Sequence, residues 1–154
     1  MFCLPADAGR AKAAAPASYR EKWERVAIRR AVEVEAVLED LVEKLQAAGY
    51  SRKEQFGVRL AVEEAIVNAI KHGHRGDPAK QVQVRYRVVA ERTTVEVEDE
   101  GPGFRPELVP DPLAPENCER DCGRGLLLIR SFMTAVRYND RGNCVTLCKC
   151  RAGA

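Results

Sequence analysis

A chain of 154 residues, 45% hydrophobic and 31% charged, has the length for one domain with a real core and the balance of a soluble globular protein. Its 25 basic and 23 acidic residues leave a net charge of +2 and form no dense basic block, which argues against a polyanion or nucleic-acid binder. No apolar run reaches membrane-spanning length, and the opening MFCLPADAGRAKAAAPAS lacks the continuous apolar core of a signal peptide, so a cytoplasmic protein with no membrane association is expected.

Residues 1–18 show Ala, Gly and Pro without a period and read as a flexible tail, which leaves 19–154 as the single domain. WERVAIRR (23–30) reads as a leading strand. VEVEAVLEDLVEKLQAAG then places Val34, Val37, Leu38, Leu41 and Leu45 at helical spacing, with Gly49 as its stop. Ser51 and Glu54 form a capping box for a second helix, expected to run to about His72 and end at Gly73. QVQVRYRVVAE and RTTVEVEDE alternate with period two and make a hairpin turning near Glu91 and Arg92. A long proline-rich loop follows, with Pro106, Pro110, Pro112 and Pro115, and then GRGLLLIRSFM, a glycine-led apolar helix. AVRYND and NCVTLCKC close the chain as two strands around Asp140–Asn143. The sum is an α+β fold, a two-layer sandwich.

The six cysteines suggest neither a disulfide framework nor a metal site. No secretion signal accompanies them, and the C-x3-C spacing of Cys118 and Cys122 is a poor zinc signature. Cys144, Cys148 and Cys150 share one face of a strand and read as small buried hydrophobes.

Three stretches could carry chemistry. Glu64, Asn68 and either Lys71 or His72 share a stripe of the second helix at i, i+4 and i+7 or i+8, on a helix apolar nearly all round. Polar groups buried there need partners. In VEVEDEGPGF, period two puts Asp99 on the same face as Val95 and Val97, pointing toward the core, with Gly101 and Gly103 allowing a sharp turn and close approach. In DCGRGLLLI, Gly123 and Gly125 open a helix whose free N–H groups suit an anion, with Arg120 and Arg124 nearby. Each stretch alone reads as easily as a solvated helix edge, a Gly-Pro turn or a hinge.

Taken in order, the three resemble the nucleotide-binding boxes of the GHKL, or histidine-kinase-like ATPase, superfamily. EEAIVNAIKHG looks like its N box, DEGPGF like its first glycine box, GRGL like its second, and NCVTLCK like its last strand. The likeness covers about residues 20–150. Within the superfamily it is closest to the small single-domain anti-sigma factor serine kinases, because nothing here could be a dimerisation helix pair or a transducer domain.

The resemblance implies a Bergerat-type sandwich with a mixed, mostly antiparallel sheet and helices on one face, and a protein serine/threonine kinase using ATP and Mg2+. Glu64 would act as general base and Asn68 as Mg2+ ligand, with Lys71, His72 or Arg124 countering charge. Asp99 would accept from the adenine amine, Gly101 and Gly103 would admit the base, and Gly123, Gly125 and Leu126 would cradle the phosphates. Thr146 would support the adenine. Expected partners are a STAS-fold anti-anti-sigma factor and a sigma factor, with homodimerisation left open. The chain departs from the family at the end of the lid, where Asp121, Cys122 and Gly123 replace an Arg-Ser-Gly run. A non-catalytic, ATP-gated binding module is the alternative reading, and a structural or redox protein the third.

Overall fold

The computed structural model describes residues 22–75, 77–108 and 124–154. Strand β1 (Glu24–Ile28) leads through a 3-10 turn (Ala31–Glu33) into helix α1 (Val34–Ala47), whose Val34, Val37, Leu38, Leu41 and Leu45 are buried as their spacing predicts. The helix ends where Gly49 takes φ +84°, and the amides of Gly49 and Tyr50 return to the carbonyls of Gln46 and Leu45, each at 3.0 Å. This Schellman arrangement satisfies two of the terminal carbonyls. Helix α2 (Arg52–Asn68) begins one residue after Ser51, whose Oγ accepts from the Glu54 amide at 3.2 Å while Glu54 accepts from the Ser51 amide at 2.8 Å. The capping box read from the sequence is present.

Strands β2 (Val82–Val88) and β3 (Arg92–Glu98) form the expected hairpin. Helix α3 (Arg124–Phe132) precedes β4 (Ala135–Tyr138) and β5 (Cys144–Cys150). The sheet order is β1-β2-β3-β5-β4, and every pairing is antiparallel. The expected mixture with a parallel pair is corrected: β3 and β4 do run in the same direction, but β5 inserts between them and pairs with both. Val84, Tyr86, Val95, Val97, Val145 and Leu147 from one face of the sheet join Leu38, Leu41, Leu45, Val58, Val62, Ile66 and Ile129 from the helices in one core. This is the α+β two-layer fold, with its helices on one face.

The opposite face carries Arg25, Arg85, Glu96, Thr146 and Arg137 in one row across the strands. Arg85 bridges Glu96 at 2.9 Å and Glu98 at 3.2 Å. Cys144 and Cys148 are half-buried on this face and Cys150 is exposed. They are therefore not core hydrophobes, because Val145 and Leu147 take the inward positions between them. Cys3, Cys118 and Cys122 lie outside the described residues, as do the 1–18 tail and most of the proline-rich loop. Among the described residues no cluster of His, Cys, Asp and Glu could hold a metal, and no helix is long and apolar enough to cross a membrane.

Helix α2 departs from expectation at its end. Its α pattern stops at Asn68, Ala69–His74 form a wider π turn, and Arg75 in the left-handed region (φ 48°), rather than Gly73, closes it. The wider turn leaves Lys71 and His72 exposed and buries Gly73 and His74. Such π turns are rare and often sit at functional sites.

Candidate functional site

The last turns of α2 form the spine on which the other two stretches converge. Antiparallel to α2, helix α3 packs so closely that a Cβ on Gly57 would stand 2.7 Å from Phe132 and one on Gly125 would stand 2.0 Å from Glu64 Oε1. Gly125 thus makes room for the Glu64 carboxylate at the start of α3. Nine residues further along the chain, a Cβ on Gly73 would stand 2.5 Å from the Asp99 side chain, and one on Gly101 would stand 2.7 Å from the Gly73 Cα. The helix end therefore touches the second-glycine-box helix at Glu64 and the first glycine box at Gly73. The rise between the two contacts is about 12–13 Å.

Glu64 and Asn68 lie one turn apart and are half-buried. Among the described residues neither side chain makes a hydrogen bond or an ion pair, so two polar groups at a partly dry surface are left open. Asp99 is held more tightly. Its N–H donates to the Asn143 carbonyl at 2.9 Å, its carbonyl accepts from Asn143 Nδ2 at 2.9 Å, and its Oδ1 accepts from the Gly101 amide at 2.7 Å. Among the described residues no donor reaches Oδ2. Burial pushes the Asp99 carboxyl above the usual range, opposed by the Gly101 amide and by His74 and Lys80, while Glu98 adds to the rise. A fixed carboxylate with one open acceptor oxygen is suited to reading an amine donor.

Gly101 is buried between Asp99 and Gly73. Gly103 approaches the backbone of the β4–β5 turn, where its Cβ would fall 1.7 Å from the Arg141 carbonyl. Leu126 is half-buried in the first turn of α3, and Arg124 is exposed at its start. Gly123 and Arg120 fall outside the described residues. Lys71 and His72 are exposed in the π turn.

Thr146 is not brought to this site. It pairs with Glu96 and Arg137 on the helix-free face of the sheet, whereas Asp99 continues the inward phase of Val95 and Val97. The adenine-support role assigned to Thr146 is corrected on that geometry, because alternation puts the two residues on opposite faces. Two residues without a role in the sequence reading occupy the site instead. Asn143, 6% exposed, links Asp99 to Asn139 through bonds of 2.8 and 3.0 Å. His74, 3% exposed, lies within electrostatic reach of Asp99. The Asn-x3-Asn spacing across the turn is the available signal for the first, and nothing in the sequence marks the second.

A family model described as histidine kinase-like ATPase domain matches residues 27–149. The serine-protein kinase RsbW of Listeria innocua is 31% identical over 109 residues, covering 66% of this chain and 69% of the relative. The RsbW serine-protein kinase of Bacillus subtilis is 32% identical over 108 residues, covering 66% and 68%. That of Oceanobacillus iheyensis is 25% identical over 99 residues, covering 60% and 63%. With nearly the whole described fold inside the matched segment, the chain belongs to the histidine kinase-like ATPase domain family.

Proposed function

We propose that the chain is an ATP-dependent protein kinase of the anti-sigma factor type, acting on a serine or threonine of a small STAS-like partner. The observation that carries this reading is the row of open polar groups, Glu64, Asn68 and Asp99 Oδ2, along and beside one helix end that touches both glycine boxes. Its length suits a ligand recognised separately at a base and at a terminal phosphate. The matched family and relatives named as serine-protein kinases support the same reading.

Bound Mg-ATP would supply the phosphoryl group. Asn68 offers an amide oxygen, a hard ligand, and a single protein ligand fits Mg2+, which keeps waters and phosphates as its others. Glu64 would orient the attacking hydroxyl and take its proton. The amides at the start of α3, bared by Gly125 and continuing through Leu126, would receive phosphate oxygens, with Arg124 adding charge. Lys71 and His72 would reach the same phosphates from the exposed side of the π turn. Asp99 Oδ2 would accept from the adenine amine, and Gly101 keeps that corner free of side chains. Phosphoryl transfer needs positioning and charge neutralisation above all, and these residues would provide both.

Thermal melts test nucleotide binding. At a hundredfold excess over the dissociation constant, Mg-ATP or Mg-ADP should add about 2.7 kcal/mol, or roughly 5–10 °C for a chain of this size. Mg-GTP should add little, and an equal response to GTP would contradict the role of Asp99. Transfer is tested by incubating the protein and Mg-ATP with a STAS partner captured by pull-down, then mapping phosphoserine by mass spectrometry. Tight binding of both with no modified partner would replace the kinase reading with the ATP-gated binder.

Asp99→Asn should separate stability from binding. A carboxyl raised by burial contributes stability that is full below the ordinary aspartate range and is lost as pH rises through its folded pKa. At pH 7 the charge therefore costs stability, so the asparagine variant should melt higher than wild type without nucleotide. Adenine binding should weaken by about 1.5–3 kcal/mol, the worth of a charge-assisted bond. A lower melting point together with unchanged affinity by calorimetry would contradict both halves.

A further inference from the structure

Just past the end of β3, one side chain makes a bond that the backbone of the sheet would ordinarily make. The β3–β5 register runs through Val97↔Val145 and Glu98↔Cys144, so Asp99 and Asn143 face each other next. Opposed residues in an antiparallel ladder exchange either two backbone bonds or none. Here the Asp99 amide donates to the Asn143 carbonyl at 2.9 Å, but the Asn143 amide turns away to Asn139 Oδ1 at 3.0 Å. Asn143 Nδ2 takes its place and donates to the Asp99 carbonyl at 2.9 Å. The chain can therefore leave the ladder at Asn143 while Asp99 keeps both of its ladder bonds.

Two side-chain amides carry this exchange, and each has one workable orientation. Asn139 Oδ1 accepts from the backbone amides of Asn143 and Cys144 at 3.0 and 3.2 Å, which leaves Asn139 Nδ2 to donate to Asn143 Oδ1 at 2.8 Å. Asn143 Nδ2 is then the group turned on Asp99, whose carbonyl can only accept. Asn139 closes the β4–β5 turn, but the bond from Asn143 Nδ2 leaves that turn and serves the end of β3. The same turn grips the far side of the first glycine box. The Phe104 amide donates to the Gly142 carbonyl at 3.2 Å, and the Phe104 ring packs edge-on against Tyr138 with centroids 5.1 Å apart. With the Gly101 amide on Oδ1, the polar atoms of Asp99 are all held except Oδ2 among the described residues.

We propose that Asn143, braced by Asn139, is a positioning residue for base recognition, fixing the Asp99 backbone so that Oδ2 stands where the exocyclic amine of adenine arrives. The inference rests on the reading of Asp99 as the base acceptor, and it adds the residues that hold that acceptor in place. An acceptor already in position makes its bond without first being ordered, so it separates ligands that carry the amine from those that lack it. Asn143→Ala takes the donor from the Asp99 carbonyl and frees Oδ2 to move. Asn139→Asp keeps an acceptor for both turn amides but sets a carboxylate oxygen against Asn143 Oδ1. The Asn143 amide can then satisfy one neighbour only.

Adenosine and purine riboside are the probes, because they differ only in the 6-amino group and need neither Mg2+ nor Asn68. Their affinities for wild type, Asn143→Ala and Asn139→Asp are measured by NMR titration. Wild type should favour adenosine by roughly 10–100-fold, the discrimination that one charge-assisted hydrogen bond carries. In Asn143→Ala the ratio should fall close to one through loss of adenosine affinity, with purine riboside binding as in wild type. Asn139→Asp should fall partway, and this exposed position decides the matter if Asn143→Ala fails to fold. A role in folding alone would weaken both nucleosides together and leave their ratio unmoved. A wild-type ratio kept by the folded variants would thus reduce the two asparagines to turn residues and leave the proposed function intact. Wild type that does not distinguish the two nucleosides would overturn the base-reading role of Asp99, and this inference with it.

Discussion

Glu64→Gln is expected to leave Mg-ATP affinity close to wild type and to slow phosphoryl transfer by roughly 10²–10⁴, the usual worth of a positioned general base. The carboxamide keeps the shape of the side chain, and Asn68, one turn on, keeps its oxygen for the metal. Only the capacity to accept the hydroxyl proton is lost. Gly125→Ala makes the companion test. Its Cβ would fall 2.0 Å from Glu64 Oε1 and 2.8 Å from Cδ, so the carboxylate must swing away, and as the free end of a flexible side chain it can do so without unfolding the protein. That variant should fold, melt within a few degrees of wild type and lose transfer. If both variants transfer at the wild-type rate to the mapped serine, Glu64 is neither base nor orienter. If Glu64→Gln abolishes nucleotide binding as well, its role is in the ligand shell rather than in proton transfer.

Features written in local chemistry are legible in the sequence alone. The Ser51–Glu54 capping box, the Gly49 stop and the two hairpins each depend on a few neighbouring residues, and each appears where its residues stand. The inward turn of Asp99 follows from the alternation of Val95 and Val97. The same alternation also argues against Thr146, since Val145 and Leu147 claim the core face on either side of it. Motif likeness points the other way at that position, and the parity prevails. The end of α2 is illegible for a different reason. Nothing in AIKHGH distinguishes a π turn from a continued helix, and what sets it apart is packing between distant segments, where Gly73 lies on Asp99 and Gly101. Asn143 is hidden similarly: a turn residue in sequence, it is a buried clamp on Asp99 across 44 positions.

The second large effect is expected where the loop after Asp99 crosses the β4–β5 turn. Gly103 has φ +80° and Gly142 φ +71°, and their backbones meet with Phe104 donating to the Gly142 carbonyl at 3.2 Å. A Cβ on Gly103 would lie 1.7 Å from the Arg141 carbonyl oxygen, and one on Gly142 would lie 1.7 Å from that of Phe104. Neither obstacle is a side chain that can rotate aside. Alanine at either site therefore adds left-handed strain of about 1–3 kcal/mol to an overpacking cost of about 1–3 kcal/mol. A loss of about 2–6 kcal/mol corresponds to a fall in melting temperature of roughly 4–24 °C. Gly153→Ala is the control, because it has the same sign of φ (+72°) but meets nothing within 4 Å, so strain acts there alone and at a chain end. The double variant Gly103→Ala/Gly142→Ala should lose less than the sum of its parts, since either alanine already forces the same crossing apart. Asp99 is bonded through Asn143, the neighbour of Gly142, so nucleotide affinity should fall with the crossing. Melting within about 2 °C of wild type for Gly103→Ala, roughly one kcal/mol or less, would mean that the two segments do not cross as described, and the placement of Asp99 would fall with them.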